Sequence, residues 1–247
     1  MYTLKKYLSE ALIKHKISNY DDTVVDFGLS VKWLKCNLAG DKLTDNESDY
    51  GYYYQWGSTI GYPDATKHIF DWSTTPYCNG FSTSLTKYVI NSEHATVDNK
   101  TTLESSDDAV TVLLGSEYRT PTTDEFKELY NHCGGTDSGS LFGATSVSKN
   151  GIYWITSGTT VDGVKYKNAG RLFVGQDISK RIFFPASGYC YNSSVKDVGS
   201  EGYYWSSSLN SSYSYGAYAL YFRGSNINPA IINLRSTGYS VRGVKVK

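Results

Sequence analysis

Four histidines (His15, His68, His94 and His132) and four cysteines (Cys36, Cys78, Cys133 and Cys190) are the chain's soft ligands and nucleophiles. No two histidines show H-x-x-x-H spacing and no two cysteines form C-x-x-C, so neither a zinc site nor a dense disulfide framework follows. The cysteines read as buried free thiols. His132 and Cys133 are adjacent, and neighbours on a helix end point apart, which removes them as a catalytic dyad. Ser206-Ser207-Ser208 lacks the glycine frame of a nucleophile elbow. Gly134-Gly135 opens no phosphate-binding loop. Asp45, Glu47 and Asp49 alternate as in a calcium loop, but Gly51 falls one place late and the closing Glu is missing. Glu104, Asp107 and Asp108 read as capping and turn-bonding acids. No catalytic residue, metal ligand or cofactor is expected.

The chemistry that remains is contact. Between Ser206 and Ser240, 18 of 35 residues are Ser, Tyr or Asn, and the window holds no Lys, Glu, Asp, Gln, His, Cys or Met. Tyrosine supplies rigid amphipathic area, and Ser and Asn supply adaptable hydrogen bonds, the mixture that binding surfaces use. The candidate ligand-contacting positions are Leu209, Asn210, Ser212, Tyr213, Tyr215, Tyr218, Tyr221, Arg223, Asn226, Asn228, Ile231, Ile232, Asn233, Leu234 and Ser236. Tyr203-Tyr204-Trp205 and Ser240-Val241-Arg242-Gly243-Val244 bracket them as fixed ends.

Several elements must position this tail. Residues 3–17 carry Leu4, Tyr7, Leu8, Ala11 and Leu12 at helical spacing behind Thr3, an amphipathic helix that could serve self-association. Val24–Leu29, Val31–Leu34 and Cys36–Leu38 read as short strands, and the aromatic run Tyr50–Gly57 as a core strand. Residues 58–117 read as loops with short helical turns. Thr120–Tyr130 is the clearest helix of the body, with first-turn acids and a Phe126, Leu129, Tyr130 stripe. Ile152–Ile155 and Arg181–Ala186 read as strands. Trp33, Trp56, Trp154 and Trp205 read as core. The expectation is residues 1–22 as a helix and residues 23–247 as one α+β domain of short, mostly antiparallel strands.

Twenty-four basic and 24 acidic residues cancel, which argues against nucleic-acid binding. No stretch approaches the ~20 apolar residues of a membrane helix. No export signal is visible at the N-terminus.

VDFGLSVKWLKCNLAG, YGYYYQWGS, TVDNKTTLESSDDAV, YRTPTTDEFKELYNHC, RIFFPASGY, GYYWSSS and GYSVRGVK, in this order, resemble the Fibrobacter-type major paralogous domain of gut Bacteroidetes and their phages. The resemblance covers about Val24 to Lys247. It implies a C-type-lectin-like fold of the branch related to formylglycine-generating enzymes. Arg119, Pro121, Thr122, Glu125, Phe126, Gly238, Tyr239 and Arg242 match that branch. Its reactive C-terminal cysteines have no counterpart after Cys190, so no enzyme activity is implied. A calcium-dependent sugar loop would need carboxylates where the chain has Asn228-Pro229-Ala230.

The tail, about 203–243, is similar to the variable region of diversity-generating-retroelement proteins. There, adenines of AAC-type codons are randomised, which never yields Lys, Glu, Gln, Met or Trp. Those five are absent between Ser206 and Ser240. The resemblance implies a variable display protein that meets a protein or glycan on a cell surface. It would sit on a phage virion or a bacterial surface. A structural virion or fimbria-associated subunit is the competing expectation.

Overall fold

Trp33 and Leu34 are neighbours and both fully buried, yet they serve different apolar layers. They stand on β2 (Val31–Ala39), where successive side chains point to opposite faces. Val31 and Trp33 join Phe126, Phe184, Tyr204 and Phe222 in one core. Leu34, Cys36 and Leu38 join Tyr54, Trp56, Tyr88 and Trp205 in another.

The structure is a computed structural model and describes residues 20–93, 95–141, 143 and 145–247. The expected helix over residues 3–17 lies outside the described residues. β2 sits in a sheet with β1 (Val24–Val25), β3 (Lys42–Leu43), β4 (Tyr118–Arg119) and the C-terminal strand, Arg242–Val246. Two helices follow the long irregular stretch after β3: α1 (Ala109–Leu114) and α2 (Thr123–His132). A second sheet has the order β10-β9-β6-β5, from β5 (Asp137–Ser140), β6 (Gly151–Ile155), β9 (Gly170–Val174) and β10 (Arg181–Pro185). β7 (Thr160–Val161) pairs β8 (Val164–Lys165), and β11 (Tyr189–Tyr191) pairs β12 (Ser194–Lys196). The tail forms a three-stranded meander of β13 (Glu201–Leu209), β14 (Gly216–Arg223) and β15 (Asn226–Leu234), and Arg242–Val246 is β16. The chain is therefore sheet-rich α+β; its strand pairs are antiparallel apart from β5 with β6 among the described residues.

The second sheet explains the apolar runs GIYWI, GRLFV and RIFFP. Ile152, Phe173, Ile182 and Phe184 face the core of Trp33, while Tyr153, Ile155, Leu172, Val174 and Phe183 face a third cluster. With both faces covered, polar alternation has no place to appear. Trp33, Trp56 and Trp205 are buried, and Trp154 is packed at the edge of its cluster.

α2 starts three residues later than Thr120 because Thr122 caps it. The Thr122 hydroxyl accepts from Glu125 N at 3.2 Å, and Glu125 Oε2 accepts from Thr122 N at 2.7 Å, a closed capping box. Arg119 grips the same carboxylate through two nitrogens at 2.8 and 2.5 Å. The fully buried Arg242 donates to Asn37 Oδ1, Leu34 O, Lys35 O and Phe183 O. It thereby staples β16 to β2 and β10.

Two expected strands are corrected. Tyr50–Gly57 is not a strand: Tyr53 and Tyr54 each make a single bridge, to Tyr62 and Tyr239. Gly51 turns the chain at φ +77°, where a Cβ would lie 2.5 Å from Leu38 O, and that turn prevents a continuous ladder. The strand expected from Val24 ends at Val25, because Asp26 Oδ1 accepts from Gly28 N at 2.9 Å and closes a turn.

Candidate functional site

The three serines Ser206-Ser207-Ser208 form a bulge, not a surface patch. β13 and β14 pair Trp205 with Ala219 and Leu209 with Ala217, so the serines oppose one residue, Tyr218. Their groups all find partners. Ser206 Oγ donates to Tyr218 O and meets Thr123 Oγ1 at 2.9 Å. Ser208 Oγ accepts from Thr123 N, and Ser207 N donates to Pro121 O. The Trp56 indole donates to Ser206 O at 2.8 Å, and the Trp205 indole to Tyr54 O at 2.8 Å. The bulge thus locks the first turn of α2 to the tail.

The 210–215 turn projects beyond this clamp and is itself braced. Asn210 Oδ1 accepts from Ser212 N and Tyr213 N at 2.9 and 2.7 Å. Ser214 Oγ accepts from Ile90 N at 3.0 Å. Tyr213 and Tyr215 stack with centroids 5.4 Å apart, and Tyr213 stays half exposed. In β15, Asn228 Oδ1 accepts from Ala230 N. Pro229 sits where the register jumps from Asn228 to Ile231, the position at which a strand tolerates a proline.

Strand pairing sorts the remaining candidate positions onto two faces. Tyr221 with Asn228, and Ile231 and Asn233 opposite Ala219 and Ala217, share the face of Tyr203 and Trp205. Tyr218 opposite Ile232 lies on the other face, and Ile232 is half exposed. Ser212, Arg223, Asn226 and Asn228 are exposed; Tyr215, Tyr218, Tyr221, Ile231, Asn233 and Leu234 are half-buried. Leu209, Asn210 and Ser236 are buried and stand outside the exposed set. Leu209 packs in the core of Trp205, Asn210 holds the turn, and Ser236 O accepts from Gln55 Nε2. The stretch from Leu209 to Thr237 is therefore not free to vary throughout. Ala217, Ala219, Leu220, Phe222 and Ile227 within it are core.

Arg235 is the anchor that sequence reasoning missed. It is fully buried, and its Nη1 donates to Ser214 O at 3.0 Å and to Lys87 O and Tyr88 O at 3.2 and 3.4 Å. Its guanidinium lies 5.0 Å from the Trp56 ring centroid. Burial pulls its pKa down to about 10. The loop it grips is held by a second network. Lys87 Nζ binds Asp107 and Glu104 at 2.5 Å each, and the Tyr88 hydroxyl donates to Asp107. Burial raises the Asp107 pKa, but hydrogen bonds from Lys87, Tyr88, Tyr77 and Ser106 outweigh it and bring it to about 2. Asp108 instead caps α1 and accepts from Thr120. The acids 104, 107 and 108 thus divide between ion pairing and capping, and Lys87 was the unread partner.

Beside the tail, a groove of about 300 Å³ opens between the β11–β12 hairpin and the end of β15. Tyr189, Tyr191, Tyr203 and Tyr239 line it with Lys196, Asn233, Leu234 and Thr237. Tyr203 and Tyr239 stack at 4.8 Å, and Tyr189 meets Tyr203 edge-on at 5.1 Å. Asp45 and Asp49 pair with Lys42 and Lys167. Among the described residues, no three of His, Cys, Asp and Glu converge as a metal site would require. No helix of the described residues is long and apolar enough to cross a membrane.

The site is thus a tyrosine-, serine- and asparagine-rich meander, bulged and pinned onto an α+β body. Residues 139–244 match a family described as a domain of unknown function (DUF8237), a span that takes in the whole tail sheet and the tyrosine groove. No curated protein and no solved structure matches the chain.

Proposed function

We propose that this chain is a ligand-binding display domain of C-type-lectin-like fold whose C-terminal region is diversified by a retroelement. One observation carries the reading: a braced turn exposes Ser212 and Tyr213, with the half-buried Tyr215 stacked against Tyr213, while its base is locked by Asn210, Ser214 and Arg235. Varied side chains at such a turn change contact chemistry without moving the scaffold, the arrangement that keeps a binder preorganised. The pairing of the early strand β2 with the C-terminal β16 supports the fold assignment. The ligand is a protein or glycan on a cell surface, met from a phage virion or a bacterial surface. Catalysis forms no part of the function.

The flanking DNA tests the diversification. A reverse-transcriptase gene and a near-copy repeat of the tail segment should lie beside the gene, with adenines at the codons of exposed tail positions. Their absence sinks the diversified reading. The turn itself is tested by combining Tyr213→Ala and Tyr215→Ala and measuring attachment to bacterial cells alongside thermal stability. Attachment should fall while the melting temperature holds; unchanged attachment removes the turn from the contact face.

A further inference from the structure

A second groove of about 300 Å³ lies away from the tail, between β1, the 44–49 loop and the turn that enters β10. At the low end of ligand pockets, about 300–1,000 Å³, it suits a single small molecule. Its base is Tyr166, fully buried with its ring 4.5 Å from that of Phe183. The Tyr166 hydroxyl forms no hydrogen bond to any described residue, although a buried phenol usually finds a partner. The charges acting on that hydroxyl are those of Glu47, Arg181 and Asp162, and the first two line the groove. The walls are fixed before any ligand arrives. Ser48 Oγ accepts from Lys167 N at 3.2 Å and Ser48 O accepts from Asn168 Nδ2 at 2.9 Å, which sets the neighbouring Glu47 beside Tyr166. Across the groove, Asp177 Oδ1 accepts from Ser179 N and Oγ at 3.0 and 2.7 Å, and Gly175 N donates to Lys180 O at 2.9 Å.

The charges of the groove divide into committed and free. Arg181 Nη1 pairs with Asp162 at 2.5 Å, and Asp26 pairs with Lys32 and Lys247 at 3.4 Å each. The half-buried Glu47 carboxylate and the exposed Lys35 and Lys180 ammonium groups form no hydrogen bond or ion pair with a described residue. One free carboxylate and two free ammonium groups therefore line one small groove. A simple anion would meet the Glu47 carboxylate, and a simple amine would meet the two lysines; a molecule carrying both signs satisfies each. Val24, Val25 and the 41% exposed Val164 add an apolar wall. An α-amino acid has these parts: an ammonium for Glu47 and the Tyr166 hydroxyl oxygen, a carboxylate for Lys35 and Lys180, and a side chain for the valines.

We infer that the groove of Tyr166, Glu47, Lys35 and Lys180 binds a free α-amino acid with an apolar side chain. The site is separate from the tail and does not rest on the display reading or on diversification at the turn.

Calorimetric titration of the full chain tests this, with L-leucine and L-valine as probes. At least one should bind. Its N-acetyl and amide derivatives each lack one of the two charges, and L-glutamate replaces the apolar side chain by a carboxylate. All three should bind ~10-fold or more weakly than the parent, about 1.4 kcal/mol. Glu47→Gln keeps the shape and removes the charge, and it should weaken binding ~10-fold or more; Lys35→Ala combined with Lys180→Ala should do the same. Tyr166→Phe should weaken binding ~3–10-fold while the melting temperature holds or rises, because the hydroxyl it removes leaves no protein partner stranded. The proposal is overturned if neither amino acid binds, if a derivative or L-glutamate binds as tightly as the parent, or if binding survives Glu47→Gln or the paired lysine substitution. A melting temperature lowered by Tyr166→Phe would make that hydroxyl structural and overturn it equally.

Discussion

Replacing Asp107 by Asn removes the one charge that Lys87 and Tyr88 share. The carboxylate is about 4% exposed and receives Lys87 Nζ at 2.5 Å, the Tyr88 hydroxyl, and Ser106 Oγ at 2.8 Å. These bonds take its pKa from an ordinary 3.8 to about 2. At about 1.4 kcal/mol per tenfold change, the ionised form contributes about 2 kcal/mol to folding. The folded pKa is depressed, so this stability is present above pH ~4 and disappears as the pH falls through ~2. Urea titrations of wild type and Asp107→Asn at pH 7 should differ by about 2 kcal/mol. The difference should shrink towards zero near pH 2. Glu104, Asp26, Asp98, Asp137 and Asp162 also have lowered pKa values. Asp26, Asp98, Asp137 and Asp162 are common to both proteins and cancel in that difference, whereas Glu104 shares Lys87 with Asp107 and takes up part of the freed ammonium in Asp107→Asn. Should the gap be the same at pH 7 and pH 2, Asp107 acts by shape and the charge argument is refuted.

Three further outcomes follow from the same geometry. Trp205→Ala removes a 2% exposed indole that donates to Tyr54 O and packs 4.3 Å from the Tyr239 ring; calorimetry should show a loss of ~3–5 kcal/mol. Ser206→Ala strands the Tyr218 carbonyl and the Thr123 hydroxyl inside the bulge. Chemical denaturation should register about 1–3 kcal/mol, and a change within experimental error would mean that the bulge does not need its hydroxyl. Gly188→Ala would put a Cβ 1.9 Å from Lys196 O at φ +65°. It should lower stability by more than about 2 kcal/mol, read as a drop in melting temperature.

The parts legible in the sequence were those governed by local rules. The helix Thr123–His132, with its first-turn acids and apolar stripe, and the strands Gly151–Ile155 and Arg181–Pro185 follow from spacing and composition. What escaped depends on contacts far apart in the chain. Arg235 looked like one arginine in a polar tail, yet its partners are Lys87, Tyr88 and Ser214. The tyrosine groove draws on residues from 189 to 239, and no local window contains it. Tyr50–Gly57 misled because aromatic density signals burial, and burial does not require a strand. The role of Ser206–Ser208 was not legible either: their short polar side chains satisfy backbone groups inside a bulge.

This last point bears on how a tail diversified as proposed would keep its fold. Under the proposed diversification, codon randomisation would act wherever a template carried adenines, so Asn210 would be as open to it as Asn226 or Asn228. The fold does not treat the three alike. Asn226 and Asn228 are exposed, whereas the buried Asn210 amide oxygen holds two backbone N–H groups of the turn. Asp and Ser, both reachable from an AAC codon, keep an oxygen that can accept there; Ile, Val or Phe would leave those donors unpaired at about 1–3 kcal/mol. Randomisation would thus be filtered position by position by the hydrogen bonds beneath it. Side-chain variety would survive at Ser212, Tyr213 and Tyr215 because Asn210 and Arg235 stay fixed.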